Sequence, residues 1–211
     1  MAARKFGRLY LFEGPMCSGK STELVETYTR MEKSGKHKPI AFAPRGSRDA
    51  TIGRIQPRTG ISCSARFVEY LGAEQIAFIL AEKHDAVFID EAQFFTALGE
   101  SELFHFCDEL MMKGIDVHVA ALDTDYLRKP WSGISLLRGL SPKTKKMKAY
   151  CTTCKNNAVY TLRLSESQQL VDINAKYEPA CRSCYYEHQT QLNKVVAWNE
   201  GLLLNNNKRK G

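Results

Sequence analysis

Gly14-Pro15-Met16-Cys17-Ser18-Gly19-Lys20-Ser21 decides the fold of this chain. It fits Gly-x4-Gly-Lys-Ser and follows a short apolar run, Arg8-Leu9-Tyr10-Leu11-Phe12. It leads into residues 21–33, where Leu24, Val25, Tyr28 and Met31 fall on one helical face and Ser34-Gly35 closes the segment. Strand, glycine-rich loop and helix form the context a P-loop needs. A polyphosphate demands many donors close together; glycines let backbone N–H groups approach it, and the helix adds its positive end. Lys20 is expected on the β- and γ-phosphates and the Ser21 hydroxyl on Mg²⁺.

Outward from the loop, apolar runs alternate with helical patterns. Pro39-Ile40-Ala41-Phe42-Ala43, Ala86-Val87-Phe88-Ile89 and Val117-His118-Val119-Ala120-Ala121-Leu122 read as buried strands. Residues 74–83 and the face Leu103, Cys107, Leu110, Met111 read as helices. Residues 44–62 have no period and are expected to form a long loop. Such alternation predicts an α/β fold, a P-loop (RecA-like) parallel sheet with helices on both faces. Ligands then bind at the carboxyl ends of the strands, where the P-loop, Asp90-Glu91 and Asp123 are expected to converge.

Asp90 directly after an apolar strand has the Walker-B position, a carboxylate for Mg²⁺. Glu91 points elsewhere and is free to take a proton from an acceptor hydroxyl. Phe94 or Phe95, which follow, could stack on a base. Cys151-x-x-Cys154 and Cys181-x-x-Cys184, separated by 26 residues, can close a tetrahedral structural zinc site with four thiolates. The intervening loop, with strand-like parts at 158–164 and 170–173, is then tied at its base and can act as a lid.

The 211 residues suit one α/β domain with a small appendage: 1–148 as the nucleotide-binding domain, 149–190 as the zinc-tied lasso, and 191–211 as a partly disordered tail. The balance is ordinary, 44% apolar and 25% charged, and no apolar run is long enough to span a membrane. The N-terminus lacks the apolar core of a secretory signal, so a cytoplasmic address is expected. Seven cysteines without such a signal favour metal over disulfides. The net charge of +7 suits an enzyme of polyphosphates. The basic run Pro142–Lys148 lacks the interleaved aromatics of a single-strand groove and reads as solvated surface, so nucleic acid is not expected as a partner.

Together these motifs resemble the type II thymidine kinases, from about Arg8 to Tyr185. The resemblance rests on Gly-Pro-Met-x-Ser-Gly-Lys-Ser-Thr-Glu-Leu at 14–24, Asp-Glu-Ala-Gln-Phe-Phe at 90–95, Ala-Ala-Leu-Asp at 120–123 with Arg-Lys-Pro at 128–130, and Lys-Tyr then Cys-Arg-x-Cys-Tyr at 176–185. It implies transfer of the ATP γ-phosphoryl group to the 5′-hydroxyl of thymidine, or of deoxyuridine, with Glu91 as the base. It implies ATP contacts from Gly14, Pro15, Met16, Cys17, Ser18, Gly19, Lys20, Ser21, Thr22, Asp90 and Gln93, with Mg²⁺ on Ser21 and Asp90. Met16, Phe94, Leu122, Tyr126 and Trp131 would surround the base. Thr161, Val171, Asp172, Ile173, Asn174 and Tyr177 would contact it from the lid. It also implies a homotetramer and feedback inhibition by dTTP. Cys17 stands where Phe or Ala is common, and Trp131 replaces a Phe. Residues 44–49 lack the usual Asp-x-Arg order, which leaves Arg48 as the candidate for the transferring phosphate. The competing classes are a DNA-stimulated P-loop ATPase and a zinc-ribbon nucleic-acid-binding module.

Overall fold

A computed structural model describes residues 5–47, 49–96, 99, 101–165 and 175–191. Its centre is a six-stranded, wholly parallel sheet. The strands are β1 (Leu9–Glu13), β2 (Pro39–Pro44), β5 (Arg66–Val68), β6 (Ala86–Ile89), β7 (Asp116–Ala121) and β8 (Lys143–Lys146), in the order β5-β2-β6-β7-β1-β8. The strand leading to the P-loop and the one leading to Asp90 are therefore separated by β7, the RecA-like arrangement.

Period-two alternation along the strands builds a core on each face. Leu9, Leu11, Val87, Ile89, Val117 and Val119 pack beneath three helices, α2 (Ala73–Ala81), α3 (Glu102–Met112) and α4 (Ser132–Leu140). Ala86, Phe88 and Ala120 face the other way, onto Leu24, Val25 and Tyr28 of α1 (Lys20–Lys33). Each fully buried Leu, Val, Ile or Phe contributes about 1.5–3 kcal/mol over leaving it in water. Helices on both faces are as expected from the alternation.

Three features were not anticipated. The basic run is the edge strand β8, paired with β1 and exposed at all four residues. An edge of lysines resists pairing with another chain, and Lys145 is committed to Glu23 at 2.8 Å. Helix α4 follows Trp131. Residues 44–62 are not plain loop: a 3-10 turn, Ala50–Ile52, precedes β3 (Arg54–Ile55), which pairs antiparallel with β4 (Cys63–Ser64).

Beyond the sheet, β9 (Ala149–Tyr150) pairs with β10 (Asn157–Ala158), and β11 (Tyr160–Arg163) with β12 (Tyr177–Ala180). A helix over 182–191 follows. The strand expected at 170–173 and the tail from 205 lie outside the described residues.

On the α1 face, three aromatic rings form a ladder across neighbouring strands. His118 of β7 stacks between its register partners Tyr10 and Phe88, with centroids at 4.5 and 4.4 Å and planes within 7° and 4°. Its Nδ1 is buried and has no hydrogen-bond partner. Burial pushes the His118 pKa down to about 4, with Arg30 lowering it further and Asp116 opposing. The neutral ring therefore belongs to the folded state. The stability it confers is complete above the unfolded value of about 6.5 and is lost as pH falls from there toward 4, about 3 kcal/mol in all. His118→Phe keeps the stack and removes the titration, so urea melts between pH 7 and 4 should show a shallower acid loss than the wild type. Parallel acid limbs in the two proteins would contradict this.

Candidate active site

The cleft is built from backbone first. A Cβ on Gly14 would lie 2.4 Å from the Met147 carbonyl oxygen, so only glycine lets the loop leave β1 against β8. Gly19 at φ 84° and Cys17 at φ 60° make the left-handed steps that turn the loop into α1. Lys20, buried at the start of α1, donates from Nζ to the Pro15 carbonyl at 2.7 Å and to Ser18 Oγ at 3.4 Å. Burial pushes its pKa down, opposed by the carboxylates of Glu91, Asp90 and Asp123. Thr22 lies in the first turn of α1.

Ser21 Oγ donates to Asp90 Oδ1 at 2.9 Å, bridging from the P-loop helix to the end of β6. Asp90 is 7% exposed. Burial and the Glu91 charge raise its pKa to about 7, while the Ser21 hydrogen bond pulls the other way. A hydroxyl and a carboxylate at this distance are hard oxygen donors of the kind Mg²⁺ takes.

Glu91 sits at φ 50°, a left-handed conformation costly for a side-chain-bearing residue. Gln93 supports it: Nε2 donates to Glu91 Oε2 at 2.5 Å, and Oε1 accepts from the Leu122 N–H at 3.0 Å. Gln93 is 1% exposed and lies behind the cavity wall, where it links the acidic residue to the loop after β7.

A cavity of about 470 Å³ opens beside these groups. Ser21, Asp90 and Glu91 line it together, and Met16, Phe94, Leu122, Tyr126, Trp131, Thr161 and Tyr177 are also part of its wall. Sequence reasoning thus placed these residues around one space. Phe94 meets Trp131 edge to face at 6.3 Å, whereas Phe95 belongs to the core. Thr161 of β11 accepts from the Met16 N–H at 3.1 Å, joining the cysteine-rich segment to the P-loop. Arg48, Val171, Asp172, Ile173 and Asn174 lie outside the described residues.

Some lining was missed. Asp49, Ile55, Gln56 and Pro57 enter from the 44–62 segment, whose only signal was its length without a period. Asp125 also lines the cavity, its Oδ1 accepting from the N–H groups of Leu127 and Lys129 at 2.8 Å each. Asp123 turns from the cavity instead. Its carboxylate pairs with Lys146, beside Glu13, which Arg138 holds at 2.8 Å.

Cys151, Cys154, Cys181 and Cys184 bring their four sulfurs within 4.8 Å of one another. Tetrahedral Zn–S bonds of about 2.3 Å need sulfurs roughly 3.8 Å apart, so the cluster fits zinc with little movement.

A thymidine kinase family model matches residues 7–185. Among similar proteins, the thymidine kinase of Pseudothermotoga lettingae is 32% identical over 197 residues, covering 92% of this chain and 99% of its own length. That of Metamycoplasma arthritidis is 33% identical over 195 residues, 90% of this chain and 96% of its own. That of Rabbit fibroma virus is 32% identical over 183 residues, 85% and 97%. The chain belongs to the thymidine kinase family.

Proposed function

We propose that this chain phosphorylates thymidine with ATP, and that Glu91 is the base that takes the proton from the 5′-hydroxyl. Family membership supports the reaction. The observation that supports the assignment of roles is the cavity itself, with Glu91 at the junction of a phosphate loop and an aromatic chamber. A planar pyrimidine suits walls of Phe94, Trp131, Tyr126 and Tyr177.

Phosphoryl transfer is mostly positioning and charge neutralisation. The P-loop amides and Lys20 hold the ATP phosphates. Ser21 and Asp90 would hold Mg²⁺, which would supply further positive charge. Glu91 accepts the hydroxyl proton as the oxygen bonds to the γ-phosphorus and ADP leaves. Gln93 fixes one carboxylate oxygen of Glu91, which leaves the other for the substrate. The four cysteines would hold zinc in a structural role, and residues 149–190 act as the lid that carries Thr161 and Tyr177. Assembly as a homotetramer, inhibition by dTTP and a cytoplasmic address belong to the same proposal, and the family resemblance is their support. No described helix is long and apolar enough to cross a membrane.

The direct test is thymidine-dependent release of ADP. Glu91→Gln should lower kcat by about 10²–10⁴-fold while ATP affinity, read by titration calorimetry, stays within a few-fold. A fully active variant would remove Glu91 from the role. Lys20→Ala should abolish turnover and leave the circular dichroism spectrum unchanged; turnover near wild type would count against the donor site.

Zinc removal gives a separate measurement. One zinc per chain is expected by atomic emission. Chelation, or Cys154→Ser, should raise the thymidine KM well before the sheet melts. A thymidine KM indifferent to the metal would separate the cysteine cluster from the acceptor site.

A further inference from the structure

One face of β11 is used twice. Residues two apart on a strand point the same way. Thr161 reaches the phosphate loop, and Arg163 reaches the back of the aromatic wall. Arg163 is 5% exposed. Its guanidinium carbon lies 3.5 Å from the centre of the Tyr126 ring and 5.3 Å from that of Tyr177. Both rings line the cavity, whereas Arg163 stands behind them. Tyr177 is its register partner on β12, and Tyr126 comes from the loop after β7. A single planar cation therefore joins two rings from distant parts of the chain.

The same loop is held again through its backbone. Tyr185 donates to the Tyr126 carbonyl at 2.7 Å. Arg128, at φ 66°, lies 5.2 Å from the Tyr185 ring and 4.8 Å from that of Tyr186. These contacts fix where the loop runs. They leave the Tyr126 side-chain torsions to be set by what covers the ring. A guanidinium can lie flat over an aromatic face, which a lysine ammonium cannot reproduce, and such stacking strengthens when water is excluded.

We propose that Arg163 is a positioning residue that fixes the planes of Tyr126 and Tyr177, and so sets affinity for the nucleoside base without touching either substrate. The inference rests on the thymidine reading above. Its test is steady-state kinetics of Arg163→Lys and Arg163→Leu in the full chain, varying thymidine and ATP in turn. The thymidine KM should rise tenfold or more, with kcat within threefold and the ATP KM unchanged. In a Tyr126→Leu background, Arg163→Lys should add less than twofold, because the ring it orients is gone. Arg163→Lys retains the charge and serves if the leucine variant does not fold. A thymidine KM within twofold of wild type in Arg163→Lys overturns the proposal. So does a parallel loss in kcat and both KM values, the mark of a general structural role. A wild-type chain that forms no thymidine monophosphate removes the parent reading instead, which keeps the two failures distinct.

Discussion

The hydrogen bond from Ser21 to Asp90 is the constraint on which the cleft depends. It joins the start of α1, which follows β1 through the phosphate loop, to the end of β6, and β7 runs between those two strands. The phosphate loop must therefore cross the top of the sheet, and the backbone shows how. Gly14 passes against the Met147 carbonyl, and Cys17 and Gly19 turn the chain through left-handed steps. The result gathers Lys20, Asp90 and Glu91 at the carboxyl ends of the strands, where Lys20 and Asp90 are nearly dry. In such a place opposite charges interact far more strongly than in water, and each is costly to leave unpaired. The opposing pushes on Lys20 and Asp90 follow from that crowding. Preorganised charge of this kind needs no rearrangement when a phosphoryl group is transferred.

The aromatic chamber is assembled differently. Its aromatic wall comes from the loop after β7, the turn after β6 and the cysteine-rich segment, none of which is part of the central sheet. Such pieces need ties. Gln93 links Glu91 to Leu122, Thr161 links β11 to Met16, and Arg163 links Tyr126 to Tyr177. The four cysteines gather β9, β12 and the helix over 182–191 at one point. The phosphate-loop side of the cleft thus gains its precision from the sheet, and the aromatic chamber from cross-links between loops.

This difference explains what the sequence disclosed. Strands β1, β2, β6 and β7 are buried on both faces, so they read as continuous apolar runs, and the phosphate loop has a spacing that few other structures need. Strand β8 was hidden because an edge strand of Lys-Thr-Lys-Lys has no apolar side to show. Helix α4, which holds two glycines in nine residues, gave a weak signal as well. At the site, Met16, Ser21, Asp90, Glu91 and Phe94, which belong to sequence motifs, line the cavity, whereas Asp49, Gln56 and Asp125 did not stand out. They arrive through turns, and turns carry no period. Asp123 illustrates the limit of reasoning from strand ends. Its charge acts on Lys20 as a strand-end carboxylate would, but its carboxylate pairs with Lys146 of the unforeseen edge strand and does not line the cavity. Arg163 was equally invisible, since a cation within a strand shows its role only when the rings beside it are seen.

In the proposed reaction the phosphate loop and the aromatic chamber serve one transfer through Glu91. Partition of the label from γ-labelled ATP in the presence of thymidine tests it most directly. Nearly all transferred label should appear on the 5′-oxygen of thymidine, and little as inorganic phosphate. Label released mainly as inorganic phosphate, at a rate indifferent to thymidine, would contradict it.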